Sequence, residues 1–263
     1  PASRYVKRIA LGMVAAWGLA GTVAHGALSE YYSANGELAL SVDGSGSNAA
    51  SHVVEVDKPN NQSTVRQAFL LSTTVFGGGT IADGSVTLDG TPITWDVNIP
   101  GPISNRSVIA DVTAIVKPVV DAAPPGRTGF TLTETATGST DGEILAVVFD
   151  DPQQTAVSTV ILLFGAQAVA GDGFAITLAE PIDPLAAGAR LDMGLGISYS
   201  YQPGGQVSRV DVNGTRLTSS AGGQDDGLDS NGALITVGGL DDSTANPPDP
   251  SAGATDPRTD DEL

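Results

Sequence analysis

The chain has 263 residues, 12 of them basic and 30 acidic, no cysteine, and a formal net charge of −18. So negative a field repels phosphate backbones and anionic bilayers, which excludes nucleic acid and acidic membrane surfaces as partners. Without cysteine there is no disulfide, no thiolate nucleophile and no Cys-ligated metal, so an exported chain of this length must be held together by burial.

The first residues read as an export signal. Arg4, Lys7 and Arg8 precede an uncharged apolar run from Ile9 to Ala24, which ends in small residues at Ala24-His25-Gly26-Ala27. A basic start, an apolar middle and a small-x-small end describe a secretory signal peptide, expected to be cut between Gly26 and Ala27. A membrane-spanning helix needs about 20 strongly apolar residues, and this run is shorter and diluted by Gly12, Gly18 and Gly21. Removing residues 1–26 takes three basic residues and no acidic one, leaving a net charge of −21. The chain starts at Pro1 and stops at Asp260-Asp261-Glu262-Leu263. It is read as part of a longer reading frame, with any anchor or sorting signal beyond Leu263.

From residue 37 onward the apolar period is two. Leu38, Leu40 and Val42 share one face before Asp43-Gly44-Ser45-Gly46, the pattern of a strand and a turn. Asp89-Gly90 separates Val86–Leu88 from Ile93–Ile99, and Asn213-Gly214 separates Val210–Val212 from Thr215–Leu217. Both dipeptides favour the positive φ of type I′ hairpin turns. One helical turn is expected around Val112–Val120, ended by Pro118 or by the Pro124-Pro125 pair.

Ile144–Phe149 and Val160–Phe164 are apolar on both faces. They are expected as adjacent central strands, in the middle of a sandwich or under a covering layer. Leu191–Tyr201 alternates over its whole length and reads as a strand with one wet face, and Leu234–Val237 as a last strand.

Gly at 33, Pro at 16 and a mere three lysines disfavour long helices. The expectation is therefore an all-β protein, a β-sandwich or jelly roll of about ten to twelve mainly antiparallel strands. A signal helix would precede it and a disordered acidic tail follow. The expected domains are a signal peptide at 1–26, the sandwich at 27–240, as one unit or two packed sub-sandwiches, and a Pro-rich tail at 241–263.

Chemistry-bearing residues are few. His25 leaves with the signal, so His52 is the one histidine left for a catalytic triad, and no Gly-x-Ser-x-Gly elbow accompanies it. It reads as a partly exposed residue at the start of a strand. Asp150-Asp151, Glu180 with Asp183, and Asp225-Asp226 are the carboxylate pairs that glycoside hydrolysis would need, although Asp150-Asp151-Pro152 is a turn sequence in its own right. Gln224–Gly232 packs Asp225, Asp226, Asp229 and Asn231 among glycines, a set of hard oxygens suited to Ca2+ without EF-hand spacing. Trp95, Tyr199 and Tyr201 lie on apolar strand faces and read as core. Tyr31-Tyr32 is the one aromatic doublet away from such a face, so glycan stacking has little support.

Asp111-Val112-Thr113, the run Gly142–Pro152 ending in Phe149-Asp150-Asp151-Pro152, and the later Val210–Gly214 and Asp225–Leu228 segments together resemble β-sandwich modules of exported bacterial and archaeal surface proteins. Those modules carry a "DVT" strand and an acidic-Asp-Pro turn, and often lie upstream of a C-terminal anchor or PEP-CTERM-type sorting signal. The resemblance covers roughly residues 105–240; Phe149 stands where Tyr is common. It implies structural residues and no catalytic ones. The function expected is a non-enzymatic surface or extracellular-matrix protein, structural or adhesive, whose partners are other surface components or copies of itself. The second reading is a calcium-dependent module for polysaccharide or another ligand. The third is a secreted hydrolase with paired carboxylates.

Overall fold

A computed structural model describes residues 28–47, 49–75, 77, 79–102, 104–135, 139–168, 171–173, 176, 189–197, 209–219 and 235–241. The segment expected as a signal with Gly26 and Ala27, the segment 224–232 expected to hold calcium through Asp225, Asp226, Asp229 and Asn231, the pair Glu180 and Asp183, Tyr199, Tyr201 and the residues from 242 lie outside the described residues.

The protein is all-β; among the described residues the strands pair antiparallel and there is one short helix. In chain order the elements are β1 (Ser29–Gly36), β2 (Leu38–Ser45), β3 (Ser51–Lys58), β4 (Thr64–Thr74), β5 (Val86–Leu88), β6 (Thr91–Pro92), β7 (Val97–Pro100) and β8 (Arg106–Asp111). Then come α1 (Thr113–Ala122), β9 (Gly126–Glu134), β10 (Thr140–Asp150), β11 (Ser158–Phe164), β12 (Leu195–Ile197), β13 (Val210–Val212), β14 (Thr215–Thr218) and β15 (Ile235–Val237). The surplus over the expected ten to twelve strands lies in strands of four residues or fewer.

A five-stranded sheet, β2-β10-β4-β8-β7, faces a four-stranded sheet, β3-β9-β5-β6. Alternate residues fill the space between them. Leu145, Val147 and Phe149 of β10 and Ala68 and Leu70 of β4 meet Val54 and Val56 of β3 and Phe130 and Leu132 of β9. Period-two alternation places all of these on inner faces. Helix α1 adds Val116 and Val120 to the same core. Trp95 joins it as the alternation predicts.

A third layer covers the outer face of the five-stranded sheet. β1 pairs with β11, and Tyr31, Tyr32, Leu162 and Phe164 pack on Phe69 and Ile109. Val160 meets Leu38 and Val148. β10 is thus buried on both faces, and this is why its sequence is continuously apolar. The expected pairing of Ile144–Phe149 with Val160–Phe164 does not occur: β10 pairs with β2 and β4, and β11 with β1. The reason is a shared corner. The chain leaves the sheet at Asp151 and lies back over it as β11, just as β1 lies over the sheet that β2 belongs to. The Asp151 N–H donates to the Glu37 carbonyl where both strands turn.

Local signals hold to different extents. Asp89 (φ 46°) with Gly90 (φ 75°) and Asn213 (φ 50°) with Gly214 (φ 78°) form the two hairpin turns. After Asp89-Gly90, however, β6 has two residues, and β7 pairs with β8 in the other sheet. Asp111-Val112-Thr113 joins the end of strand β8 to the start of helix α1, and Asp111 Oδ1 accepts the Thr113 N–H. Pro118 sits inside that helix, which ends before Pro124-Pro125. Asp43, Gly44 and Ser45 do not break β2 but stay paired with β10. Within the segment expected as a long strand, the described pairing is confined to Leu195–Ile197, and Leu191 is exposed.

Gly142, just inside β10, has φ +132°, and a Cβ on it would lie 2.2 Å from the Ser45 carbonyl oxygen. Replacing it therefore combines a backbone conformation forbidden to L-residues with a clash against main chain. Gly142→Ala should cost more than about 2 kcal/mol in urea unfolding. Gly77→Ala, also at positive φ but with open space around it, should cost about 1 kcal/mol. Equal costs at the two positions would contradict this packing of β2 on β10.

Candidate functional site

Each strand lining the core carries a row of inward residues, and at one end of the sandwich four rows terminate in polar groups. On β3 the row is His52, Val54, Val56, Lys58; on β9 it is Phe130, Leu132, Glu134. On β10 it is Glu143, Leu145, Val147, Phe149, and on β4 Leu70 is followed by Ser72. The chain leaves the four-stranded sheet at Glu134 and enters the five-stranded one at Thr140, so Glu134 and Glu143 lie near that change of sheet. His52 and Glu134 come from the four-stranded sheet, Glu143 and Ser72 from the five-stranded one, and the four side chains meet between the sheets.

The His52 side chain is 7% exposed, Glu134 1% and Glu143 0%. His52 Nε2 lies 2.9 Å from Glu143 Oε2 and 3.6 Å from Glu134 Oε1. Ser72 Oγ, on the residue directly across from Glu143, is 2.9 Å from Glu143 Oε1 and 2.9 Å from the Gly142 carbonyl. Neither imidazole nitrogen has the geometry of a hydrogen bond to these oxygens, and both oxygens of Glu134 and Oε2 of Glu143 are buried without one. The attraction is therefore one of charge at close range. Burial lowers the His52 pKa, and the two carboxylates more than offset this, holding it at about 9. Burial pushes the Glu143 carboxyl above its ordinary value, with His52 opposing. Among the described residues this is the group of metal-ligating side chains that converges: one donor atom from each of His52, Glu134 and Glu143 lies within 4.8 Å of the others.

Sequence reasoning placed His52 at a partly exposed strand start and passed over Glu134 and Glu143. The signal was present as parity. In His52-x-Val54-x-Val56, Phe130-x-Leu132-x-Glu134 and Glu143-x-Leu145-x-Val147, a titratable residue occupies a core position of its strand. A carboxylate on an apolar row is rarely buried without a partner.

The opposite end of the β3 row shows the alternative use of a buried charge. The Lys58 ammonium donates to the carbonyls of Asp121 and Ala123 at the C-terminus of α1, each at 2.9 Å. It satisfies carbonyls that the helix leaves open and complements its dipole.

The Asp150-Asp151 pair is divided between two structural tasks. Asp150 pairs with Arg66 at 2.6 Å. Asp151 accepts from the Asn60 side chain at 2.6 Å, the Gln153 N–H at 3.1 Å and the Gln154 side chain at 3.0 Å. Tyr31, of the aromatic doublet, packs edge-on against Phe69 and donates to Asp96 Oδ2. Burial, reinforced by Asp96, pushes its pKa to about 12.

No protein-family model, curated protein or solved structure matches the chain. Among the described residues no helix is long and apolar enough to cross a membrane.

Burial raises the Asp151 carboxyl, but the hydrogen bonds from Asn60, Gln154 and Gln153 outweigh it and hold the group below its ordinary 3.8. A depressed folded pKa stabilises above the unfolded value and stops doing so as pH falls through the folded one. The stability difference between the wild type and Asp151→Asn should be constant above about pH 5 and shrink as pH falls below 3.8. A difference that grows on acidification would rule out this role for Asp151.

Proposed function

We propose that the chain is a non-enzymatic, exported β-sandwich module of a bacterial cell surface or extracellular matrix, structural or adhesive in role. The observation that carries the reading is the employment of its acidic residues. Eight aspartates among the described residues, Asp43, Asp83, Asp89, Asp96, Asp111, Asp121, Asp151 and Asp172, each accept a backbone N–H. These bonds tie strand edges and loops: Asp43 to Glu55 links β2 to β3, and Asp121 to Val65 links α1 to β4. Hydrogen bonds to a charged acceptor contribute about 1.5–3 kcal/mol each. Negative charge thereby does the work that lysine-rich helices or disulfides do in other exported proteins.

A carboxylate so employed is a poor candidate for glycosidic acid–base chemistry, which needs two groups facing one substrate. Asp150 and Asp151 sit at the corner shared by β1, β2, β10 and β11 and hold it. The signal-like sequence at 1–26 and the resemblance to surface modules support this location.

The test follows the full chain in a bacterial host with general secretory export. The expected product lies outside the cytoplasmic membrane, has an intact mass beginning at Ala27, stays with the surface or matrix fraction and releases no reducing sugar from a polysaccharide panel. Retention in the cytoplasm at full mass would overturn the location. Polysaccharide cleavage that disappears in Asp150→Asn or Asp151→Asn would overturn the non-enzymatic role.

A further inference from the structure

We propose that His52, Glu134 and Glu143 bind one divalent first-row transition ion of the Zn2+ or Mn2+ class, which clamps the two sheets of the sandwich together.

Charge points to a dication. Two carboxylates and a neutral imidazole balance a dication completely. No lysine or arginine among the described residues forms an ion pair with either glutamate. A buried, uncompensated charge costs several kcal/mol, on the order of the stability of a small domain.

The orientation of the donors points the same way. His52 Nε2 and Glu143 Oε2 are 2.9 Å apart without hydrogen-bond geometry, and both Glu134 oxygens are fully buried with no donor. One atom from each of the three side chains lies within 4.8 Å of the others with no hydrogen bond made, an arrangement that a shared cation would satisfy. Two ligand atoms at about 2.1 Å from one ion are about 3.0 Å apart at a right angle and about 3.4 Å at a tetrahedral angle. The observed 2.9 and 3.6 Å separations bracket those values.

The donor types choose the ion. Mg2+ and Ca2+ prefer all-oxygen shells. One imidazole nitrogen with two carboxylates suits zinc or manganese, and the lack of cysteine removes the thiolate-loving ions. Ser72 fixes Glu143 from behind through Oε1, which leaves Oε2 for the ion, the kind of outer-shell contact that orients metal ligands. Three protein ligands leave a fourth position for water. The ligands come from β3, β9 and β10, so one ion ties both sheets at the end farthest from α1 and Lys58.

This site shares no residue with the acidic segment at 224–232, and the test keeps the two apart. The full chain is stripped with EDTA, returned to metal-free buffer and titrated with ZnCl2 or MnCl2 while calorimetry and thermal unfolding are followed. One equivalent should bind with a rise in Tm, and CaCl2 at the same concentration should not reproduce it. Glu134→Gln and His52→Gln should weaken that binding 10- to 100-fold or more. Identical affinity and Tm rise in the variants would place the ion elsewhere and overturn the proposal. Should the variants fail to fold, X-ray absorption on the zinc-loaded wild type decides. One imidazole and two carboxylate oxygens in the shell support the site; an all-oxygen shell overturns it.

Discussion

The structure depends on one strand that has no wet face. β10 is central in the five-stranded sheet, lined on one side by the second sheet and on the other by the β1–β11 ribbon. Burial on both faces allows a run such as Ile144-Leu145-Ala146-Val147-Val148-Phe149 to be apolar without alternation. It also demands a covering layer, since an outer face bearing Val148, Phe69 and Ile109 would otherwise expose a large apolar patch. β1 and β11 provide that layer because the chain turns out of the sheet at the same corner on both strands. The Asp151 hydrogen bonds and the Asp150–Arg66 pair are concentrated at this corner. The fold, the corner and the acidic turn sequence are thus one feature viewed at three scales.

The rows that face inward impose a second constraint. A row that passes through the core must end somewhere, and in β3 it ends in a charge at both extremities. At one end Lys58 meets the C-terminal carbonyls of α1, a pairing satisfied by the protein alone. At the other, His52 meets two glutamates whose oxygens have no hydrogen-bond donor. Lys58 is satisfied within the chain; the glutamates at the His52 end are not. That asymmetry is the reason to seek a ligand at one end of the sandwich and not at the other.

Much of this was legible in the sequence, and the failures have physical causes. The all-β class, the two hairpin turns, the buried Trp95 and the doubly buried β10 follow from period, turn chemistry and composition. Which strand covers which could not be read, because Val160–Phe164 is as compatible with a sheet neighbour as with an overlying ribbon; the Asp151–Glu37 corner makes that choice, and it is a tertiary contact. Asp111-Val112-Thr113 reads as a strand motif in isolation, yet only Asp111 lies in a strand and Thr113 begins helix α1. The His52 cluster escaped notice because its members are 82 and nine positions apart along the chain and each looks ordinary alone. Core parity on three separate strands marks them, but the rows meet only when the crossing between Glu134 and Thr140 is known. The oxygen-rich segment at 224–232 drew attention because its ligands are contiguous.

The most direct test of the account asks whether the cluster really occupies core rows that meet. In EDTA, His52→Leu alone leaves two buried carboxylates without their cationic partner and should lose about 3–5 kcal/mol in urea unfolding. The triple variant His52→Leu, Glu134→Leu, Glu143→Leu extends the apolar rows of β3, β9 and β10 to their ends. It should recover at least the stability of the metal-free wild type, since apolar replacement of a whole buried ionic group is neutral or stabilising. A triple variant as unstable as the single one would mean that these rows do not converge between the sheets, and the description of the sandwich at that end would be wrong.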